Sequence, residues 1–347
     1  MQLTASKTYR ADLEKAAGDV VSLDKLEGRS VLVTGATGTI GSFVADLLLH
    51  CLPSVTVYAL GRSRERLEAR FGKRERLVPV EQDMRKALDF SFQADYVIHS
   101  ASSPYPSVFG KDPVGTLLET LEGTYHLLEY ARSAGSKRLM YISSSEVYGK
   151  GPVPEGGYPE EAACLGEPAN PRNCYPLGKL ATENLCASYS AMHGFETVSV
   201  RPCYIYGPAF SSQDNRATVQ FLTKALRGEE VVMLSKGSQL RSYCYAADCA
   251  SAILTILANG QSGEAYNIAD KDSRLTVAEF AALAAEEGGV PLRFSLPQGS
   301  ELKGTAKPRD MVLNATRLES LGWKGSFSGR TGIAHTLDVL REAGYGA

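Results

Sequence analysis

Two short segments carry the side chains best suited to chemistry. Tyr141 to Gly149 reads YISSSEVYG and sets Ser144, Ser145 and Glu146 in a row; further on comes Tyr175-Pro-Leu-Gly-Lys179. On a helix, a tyrosine and a lysine at this spacing share a face, one turn apart. A phenol has a reference pKa near ~10, so acting as a base at neutral pH takes a shift of roughly 3 units, or about 4 kcal/mol. An ammonium beside it, together with the positive ring of an oxidised nicotinamide, favours the phenolate. Taken alone, the same spacing suits two surface residues, Glu146 suits an exposed strand end, and Ser144 suits a turn. What surrounds these residues decides between the readings.

The strongest neighbour is Arg29-Ser-Val-Leu-Val-Thr-Gly-Ala-Thr-Gly-Thr-Ile-Gly41. Val31, Leu32 and Val33 form an apolar run that suits a strand buried on both faces. Gly35, Gly38 and Gly41 then punctuate a turn into an apolar helix from Thr39 to His50. Glycines let a backbone approach a pyrophosphate, and a helix start offers free N–H groups. The spacing is G-x-x-G-x-x-G, where the common dinucleotide fingerprint reads G-x-G-x-x-G. A dinucleotide site is expected over Gly35, Thr37, Gly38, Thr39, Ile40 and Gly41.

The elements that must position these residues follow from the hydrophobic pattern. Strands are expected at Val31–Thr34, Val55–Leu60, Leu77–Val80, Tyr96–Ser100, Leu139–Ser143 and Thr197–Arg201, with helices between them, the longest near Pro113 to Ala134. This alternation predicts an α/β fold, a Rossmann-type doubly wound parallel sheet. Residues 1–28 read as a polar helical extension, packed outside or at an interface. Later elements are a helix at Asn215–Arg227, a short strand at Val231–Leu234, helices at Cys249–Ala258, Val277–Glu287 and Gly332–Arg341, and a strand at Ala265–Ile268. His99, at a strand end in an apolar run, reads as a core histidine, and Tyr148 as packing under the loop.

Composition narrows the function classes. The chain has 347 residues, 44% hydrophobic and 22% charged, with a formal net charge of −2. That charge gives no reason to expect a nucleic acid or an anionic membrane as partner. No apolar run approaches the ~20 residues of a membrane span, and the first 28 residues are too polar for a signal peptide. The seven cysteines are scattered without C-x-x-C spacing. They read as reduced thiols in the cytoplasm, with no metal site.

With both motifs in hand, the chain resembles the extended short-chain dehydrogenase/reductases, specifically the nucleotide-sugar epimerases, dehydratases and decarboxylases. The resemblance is carried by Thr34-Gly-Ala-Thr-Gly-Thr-Ile-Gly41, Gln82-Asp83, His99-Ser-Ala-Ser102, Ser143 to Gly149, Tyr175 to Lys179, Arg201-Pro202, Tyr206-Gly207-Pro208, Gly237-Ser-Gln-Leu-Arg241, Tyr245 to Asp248 and Leu321-Gly-Trp323. It implies a nucleotide-binding domain over 29–205, completed by a return at 243–269. A smaller C-terminal α/β substrate lobe would comprise 206–242 and 270–347. It also implies a homodimer through the helix bearing Tyr175 and its neighbour.

The resemblance further implies catalysis by Ser144, Ser145, Glu146, Tyr175 and Lys179. Tyr175 takes the 4-hydroxyl proton while C4 is oxidised, Lys179 lowers the tyrosine pKa, and Ser144 orients the hydroxyl. Ser-Ser-Glu departs from the Asp-Glu of dTDP-glucose 4,6-dehydratases and from the small or apolar residues of simple 4-epimerases. A UDP-glucuronate-decarboxylase-like reaction is therefore expected, with a 4-epimerase, a 4,6-dehydratase or a non-catalytic NADP-binding sensor or scaffold as alternatives. Asp83, Met84, Ala101, Ser102 and Pro202 would contact the cofactor, alongside Tyr175 and Lys179. The second strand ends without an acid, and Arg62, Ser63 and Arg64 can pair a 2′-phosphate. NADP is thus favoured over NAD. The substrate, a UDP-sugar by this resemblance, would meet Tyr204, Asn215, Arg216, Arg241 and Arg309. Tyr204 stands where the family often has the asparagine that contacts substrate phosphate. Asp248 is expected to cap the helix that follows it.

Overall fold

The computed structural model describes residues 2–88, 90–102, 105–164, 166–211, 214–296 and 309–345. Its strands in chain order are β1 (Ser30–Thr34), β2 (Thr56–Gly61), β3 (Leu77–Glu81), β4 (Tyr96–His99), β5 (Arg138–Ile142) and β6 (Glu196–Pro202). Then follow β7 (Tyr204–Tyr206), β8 (Val231–Met233), β9 (Leu240–Tyr245), β10 (Ala265–Ile268), β11 (Arg274–Thr276) and β12 (Leu292–Phe294). The first six join β10 in a seven-stranded sheet of order β10-β6-β5-β4-β1-β2-β3, parallel throughout. Val31, Leu32 and Val33 are wholly buried because helices cover both faces, which is what the unbroken apolar run anticipates.

The helices are α1 (Lys7–Gly18), α2 (Thr39–Cys51), α3 (Arg64–Phe71), α4 (Pro106–Phe109), α5 (Pro113–Ser133), α6 (Cys174–His193), α7 (Ala217–Leu226), α8 (Ala246–Asn259), α9 (Val277–Gly288), α10 (Thr316–Glu319) and α11 (Gly329–Glu342). α5 starts where Pro113 presets the backbone and the Asp112 carboxylate accepts from the Gly115 N–H at 2.8 Å. It packs along α6, while α2 packs on α8 across the other face. Strand order reverses at β1, which lies between β2 and β4. In such sheets the crevice at the carboxyl ends of the strands is where ligands bind.

A second, three-stranded sheet of order β11-β9-β7 and the β12–β8 pair make a smaller lobe with α7, α9 and α11. The expected return to the main sheet is shorter than its sequence bounds. Only α8 and β10 return, because Tyr243 to Tyr245 pair with Tyr204 to Tyr206 in the small sheet. Asp248 also differs from expectation. It lies inside α8, fully buried, and accepts from the Ser326 and Phe327 N–H groups at 2.9 and 3.0 Å. It therefore anchors the 325–328 segment and does not cap its own helix. Burial pushes its carboxyl up to about 7.

The polar N-terminal segment is fastened by buried contacts. Tyr9, Asp12, Leu13 and Ala16 of α1 are buried, and α1 packs on α2, α8 and α11. Asp46 of α2 accepts from the Tyr9 hydroxyl at 2.7 Å and from Arg70 and Arg74 at 2.6 Å each. Asp12 accepts from the Tyr245 hydroxyl and pairs with His335 Nδ1, both at 2.7 Å. Breaking a buried ion pair by removing one partner typically costs about 3–5 kcal/mol.

The Asp12 hydrogen bond raises the His335 pKa above its ordinary value. The charged pair therefore stabilises the fold fully below about pH 6.5, the unfolded value, and less as pH rises through the raised folded value. His335→Gln should cost about 1–2 kcal/mol at pH 6 and distinctly less at pH 9, read by urea unfolding at both pH values. An equal cost at both would show that the pair contributes no titrating charge.

Candidate functional site

A cavity of about 530 Å³ opens at the carboxyl ends of the central strands. Its wall includes Gly38, Thr39 and Ile40 from the glycine turn, Ser102 after β4, Ser144 to Glu146 after β5, Tyr175 on α6, and Pro202 and Tyr204 around the β6–β7 junction. Asn215, Arg216 and Arg241 close the far side. The turn leaves no room for larger residues. A Cβ on Gly35, whose φ is +63°, would lie 2.8 Å from Ala101 backbone, and one on Gly41 would lie 2.5 Å from the Gly35 carbonyl oxygen. The start of α2 is thus brought against the sheet end with its first N–H groups lacking intrahelical partners. Thr39 is held in turn by donating to the Ala209 carbonyl at 2.8 Å. A cradle this close-packed at a helix start fits a dinucleotide pyrophosphate.

Tyr175 is buried at the first turn of α6, its ring stacked on Phe109 with centroids 5.5 Å apart. Ser144 and Ser102 neighbour its hydroxyl in the same cavity wall. Lys179, one turn on, is 2% exposed and donates from Nζ to the Ile142 carbonyl at 2.7 Å. That Nζ stands 5.7 Å from the centre of the Tyr175 ring and 4.8 Å from that of Tyr141. Burial dominates both groups. It pushes the Tyr175 hydroxyl up to about 12 against the pull of Ser144, with Glu146 adding to the rise and Arg216 and Ser102 opposing it. It drives Lys179 down to about 7, opposed by Glu183. In the chain itself the tyrosine therefore moves opposite to the direction expected from its lysine, because desolvation of the phenolate outweighs the cations around it.

After β5 the chain turns sharply. Ser144 is extended and its oxygen accepts from the Glu146 N–H at 3.2 Å, starting a short turn from Ser145 to Tyr148. Gly149, at φ +69°, ends it. Ser145 is buried, while Glu146 is half-buried in the cavity wall. Tyr148 packs inside, donating to Asn267 at 2.7 Å. His99 is buried and bonded to the Thr34 hydroxyl at 2.8 Å, and burial brings its pKa down to about 3.

The far wall holds three arginines in different situations. Arg216 is gripped by Asp214, at 2.9 Å from Nε and 2.6 Å from Nη2, so its charge is already matched. Arg241 lies 4.3 Å over the Tyr204 ring and pairs with no carboxylate among the described residues. Arg309 donates to the Gly149 carbonyl and borders a smaller cavity that Glu146 also lines. Burial pushes the Tyr204 hydroxyl up to about 12, with Glu146 adding and Arg241 and Arg309 opposing.

Other residues with expected cofactor roles stand outside that wall. Arg62 pairs with Glu119 at 3.6 Å, and Arg64 with Glu68 at 3.6 Å. The Ser63 oxygen accepts from the Arg66 N–H at 3.2 Å as the cap of α3. Asp83 is chelated by Arg85, whose hydrogen bonds hold its carboxyl down at about 2. The Met84 carbonyl meets His126 Nδ1 at 2.8 Å, and the Ala101 N–H donates to the Thr34 hydroxyl at 3.1 Å. Thr37 is half-buried in the glycine turn. Sequence reasoning did not single out Tyr105, Phe109, Cys203, Ile205 or Thr218, which also line the cavity. Their only signal is aromatic and apolar residues in segments flanking strand ends.

Known proteins share both sequence and shape with this chain. It is 28% identical to a UDP-glucuronic acid decarboxylase of Arabidopsis thaliana over 87% of this chain and 86% of that one. It is 30% identical to a dTDP-4-dehydro-6-deoxy-D-allose reductase of Streptomyces over 80% and 86%. A dTDP-glucose 4,6-dehydratase from Streptomyces venezuelae, solved with NAD, superposes with a TM-score of 0.76 at 27% identity, covering 90% of this chain and 97% of that one. An epimerase from Methanothermobacter thermautotrophicus shares the fold, with a TM-score of 0.78 at 22% identity over 97% and 95%. Residues 31–269 match the family model described as the NAD dependent epimerase/dehydratase family, and the chain belongs to that family.

Proposed function

We propose that this chain oxidises C4 of a nucleotide-linked sugar and that its reaction is the decarboxylation of UDP-glucuronate. The observation that carries the reading is the placement of Tyr175, Ser144, Ser102 and Glu146 in the wall of one cavity, with Lys179 one turn on from Tyr175 and bonded to the Ile142 carbonyl. The chain's similarity to UDP-glucuronic acid decarboxylases over most of both lengths supports the choice of substrate.

Gly35 to Gly41 would hold the pyrophosphate of NAD or NADP, and Lys179 and Tyr175 its nicotinamide end. When bound, NAD or NADP would supply the acceptor for the C4 hydride and the donor that later restores it. Tyr175 accepts the 4-hydroxyl proton and returns it at the end, as a general base and then acid. Ser144 fixes the orientation of that hydroxyl. The resulting ketone lets the adjacent C5 lose carbon dioxide, and Glu146 supplies the proton C5 then needs. Arg241 and Arg309 would face the anionic parts of the substrate, with Tyr204, Asn215 and Arg216 shaping the rest of that wall. No helix among the described residues is long and apolar enough to cross a membrane. A homodimer through α5 and α6 accompanies this reading, supported by the exposed Val114, Leu118 and Tyr125 on α5 and Met192 on α6.

Incubating the protein with UDP-glucuronate, UDP-glucose, dTDP-glucose and GDP-mannose and weighing the products tests the reaction. Loss of carbon dioxide from UDP-glucuronate alone is expected. Loss of water from a hexose, or an epimer of unchanged mass, would replace decarboxylation by dehydration or epimerisation. Tyr175→Phe should cut turnover about 10²- to 10⁴-fold while cofactor affinity stays within about threefold; unchanged activity would sink the role given to Tyr175.

Cofactor choice is tested separately. The Arg62–Glu119 and Arg64–Glu68 pairs are exposed and worth at most about 1 kcal/mol each, so a 2′-phosphate can displace the glutamates. We expect NADP to bind about tenfold tighter than NAD, a charge-assisted contact of modest size, and the paired change Arg62→Ser with Arg64→Ser to abolish the difference. Tighter binding of NAD by the unmodified chain would reverse the preference.

A further inference from the structure

Glu146 lines two cavities. One is the 530 Å³ site; the other has a volume of about 30 Å³. That is close to the space one water occupies. The small cavity is bordered by Gly149, Lys150, Glu167, Asn173 and Arg309, so a water there has several polar partners. Its outer edge is an ion pair, Lys150 Nζ to Glu167 Oε2 at 2.9 Å, with the two side chains 54% and 56% exposed. Glu167 is held in place by Asn170 Nδ2 at 3.1 Å on the same carboxylate oxygen, and its carbonyl accepts from Asn173 Nδ2 at 3.1 Å. The charged groups around Glu146 are thus Arg309, Lys150 and Glu167 on this side. The phenols of Tyr175 and Tyr204 face it from the other.

The proposed reaction needs such an arrangement. Once C4 is a ketone, the C5–C6 bond breaks, its electron pair is taken up as the enolate, and carbon dioxide leaves. A proton must then form the new C5–H bond. The proton and hydride removed from the 4-hydroxyl and C4 both go back to O4 and C4, so neither is available. Each turnover therefore consumes one proton from solvent, and Glu146 ends without the one it gave.

We infer that the small cavity is a proton inlet: one water held there passes Glu146 a proton taken from the Lys150 ammonium, fixed by Glu167, and the exposed Lys150 amine regains its proton from bulk solvent. The inference rests on the decarboxylase reading. Lys150 and Glu167 touch no substrate in this scheme; they act through Glu146.

The test uses the full-length protein loaded with its dinucleotide and follows carbon dioxide release from UDP-glucuronate. Lys150→Met should lower kcat about tenfold, within the range for loss of a proton-transfer group, with KM changed less than about twofold. Adding methylammonium should restore most of the lost rate, and Glu167→Gln should give a smaller loss with the same KM. A purely structural role for Lys150 would not respond to methylammonium. Unchanged kcat in Lys150→Met, or a loss that methylammonium does not repair, overturns the inlet while leaving decarboxylation intact. If the unmodified protein releases no carbon dioxide, the proposed function falls and the inlet with it.

Discussion

The contact on which the site depends is the one from the buried Lys179 ammonium to the carbonyl of Ile142. Ile142 ends β5, and the next residues are the serines and Glu146. Lys179 lies one turn after Tyr175 on α6. A single 2.7 Å hydrogen bond therefore ties the helix that carries the phenol to the strand that delivers its partners. Buried lysine is expensive to keep charged, and its pKa near 7 shows that cost. An apolar residue would pack there more cheaply. The amine, unlike an apolar side chain, can donate to the Ile142 carbonyl.

Burial is used selectively around the cavity. Arg216 and Asp214 neutralise each other within the wall, as do Arg201 and Glu183 behind it. Arg241 and Arg309 have no carboxylate partner among the described residues, and neither does Glu146. Largely buried pairs shape the cavity, whereas unpaired charges remain where an anionic ligand and a proton donor would be wanted. Arg241 keeps one face on the Tyr204 ring, which fixes its plane without using its N–H groups. A guanidinium held in this way remains ready for bidentate contact with an oxyanion.

Much of this was legible in the residues. The apolar runs at 31–33, 96–98 and 139–142 had to be buried strands, and a doubly wound sheet sends their carboxyl ends to a common crevice. Gly38 follows the first of those ends and Ser144 and Glu146 the last, which is why their proximity could be anticipated. The small sheet was harder to read, since β7, β9 and β11 are short and pair across long stretches of chain. Tyr243 to Tyr245 therefore read as part of the return to the main sheet, whereas they pair with Tyr204 to Tyr206 in the small one. Asp248 was misplaced for a related reason: the helix begins at Ala246 without a side-chain cap, so its start carries no polar signal. The stacking of Phe109 on Tyr175 joins segments remote in sequence, and nothing in either segment announces the other.

A phenol with two hydroxyl neighbours, in a wall that also holds a carboxylate, is poised to stay protonated at about 12. Such a group does not act as a base on spacing alone, because one buried amine with a pKa near 7 carries only part of a charge at neutral pH. The glycine cradle makes the difference. On the proposed reading, a dinucleotide held there would add a positive ring near the same helix, so the base would exist only with the hydride acceptor in place. Coupling the base to the cofactor in this way would keep the phenol neutral and unreactive until both halves of the oxidation can occur together.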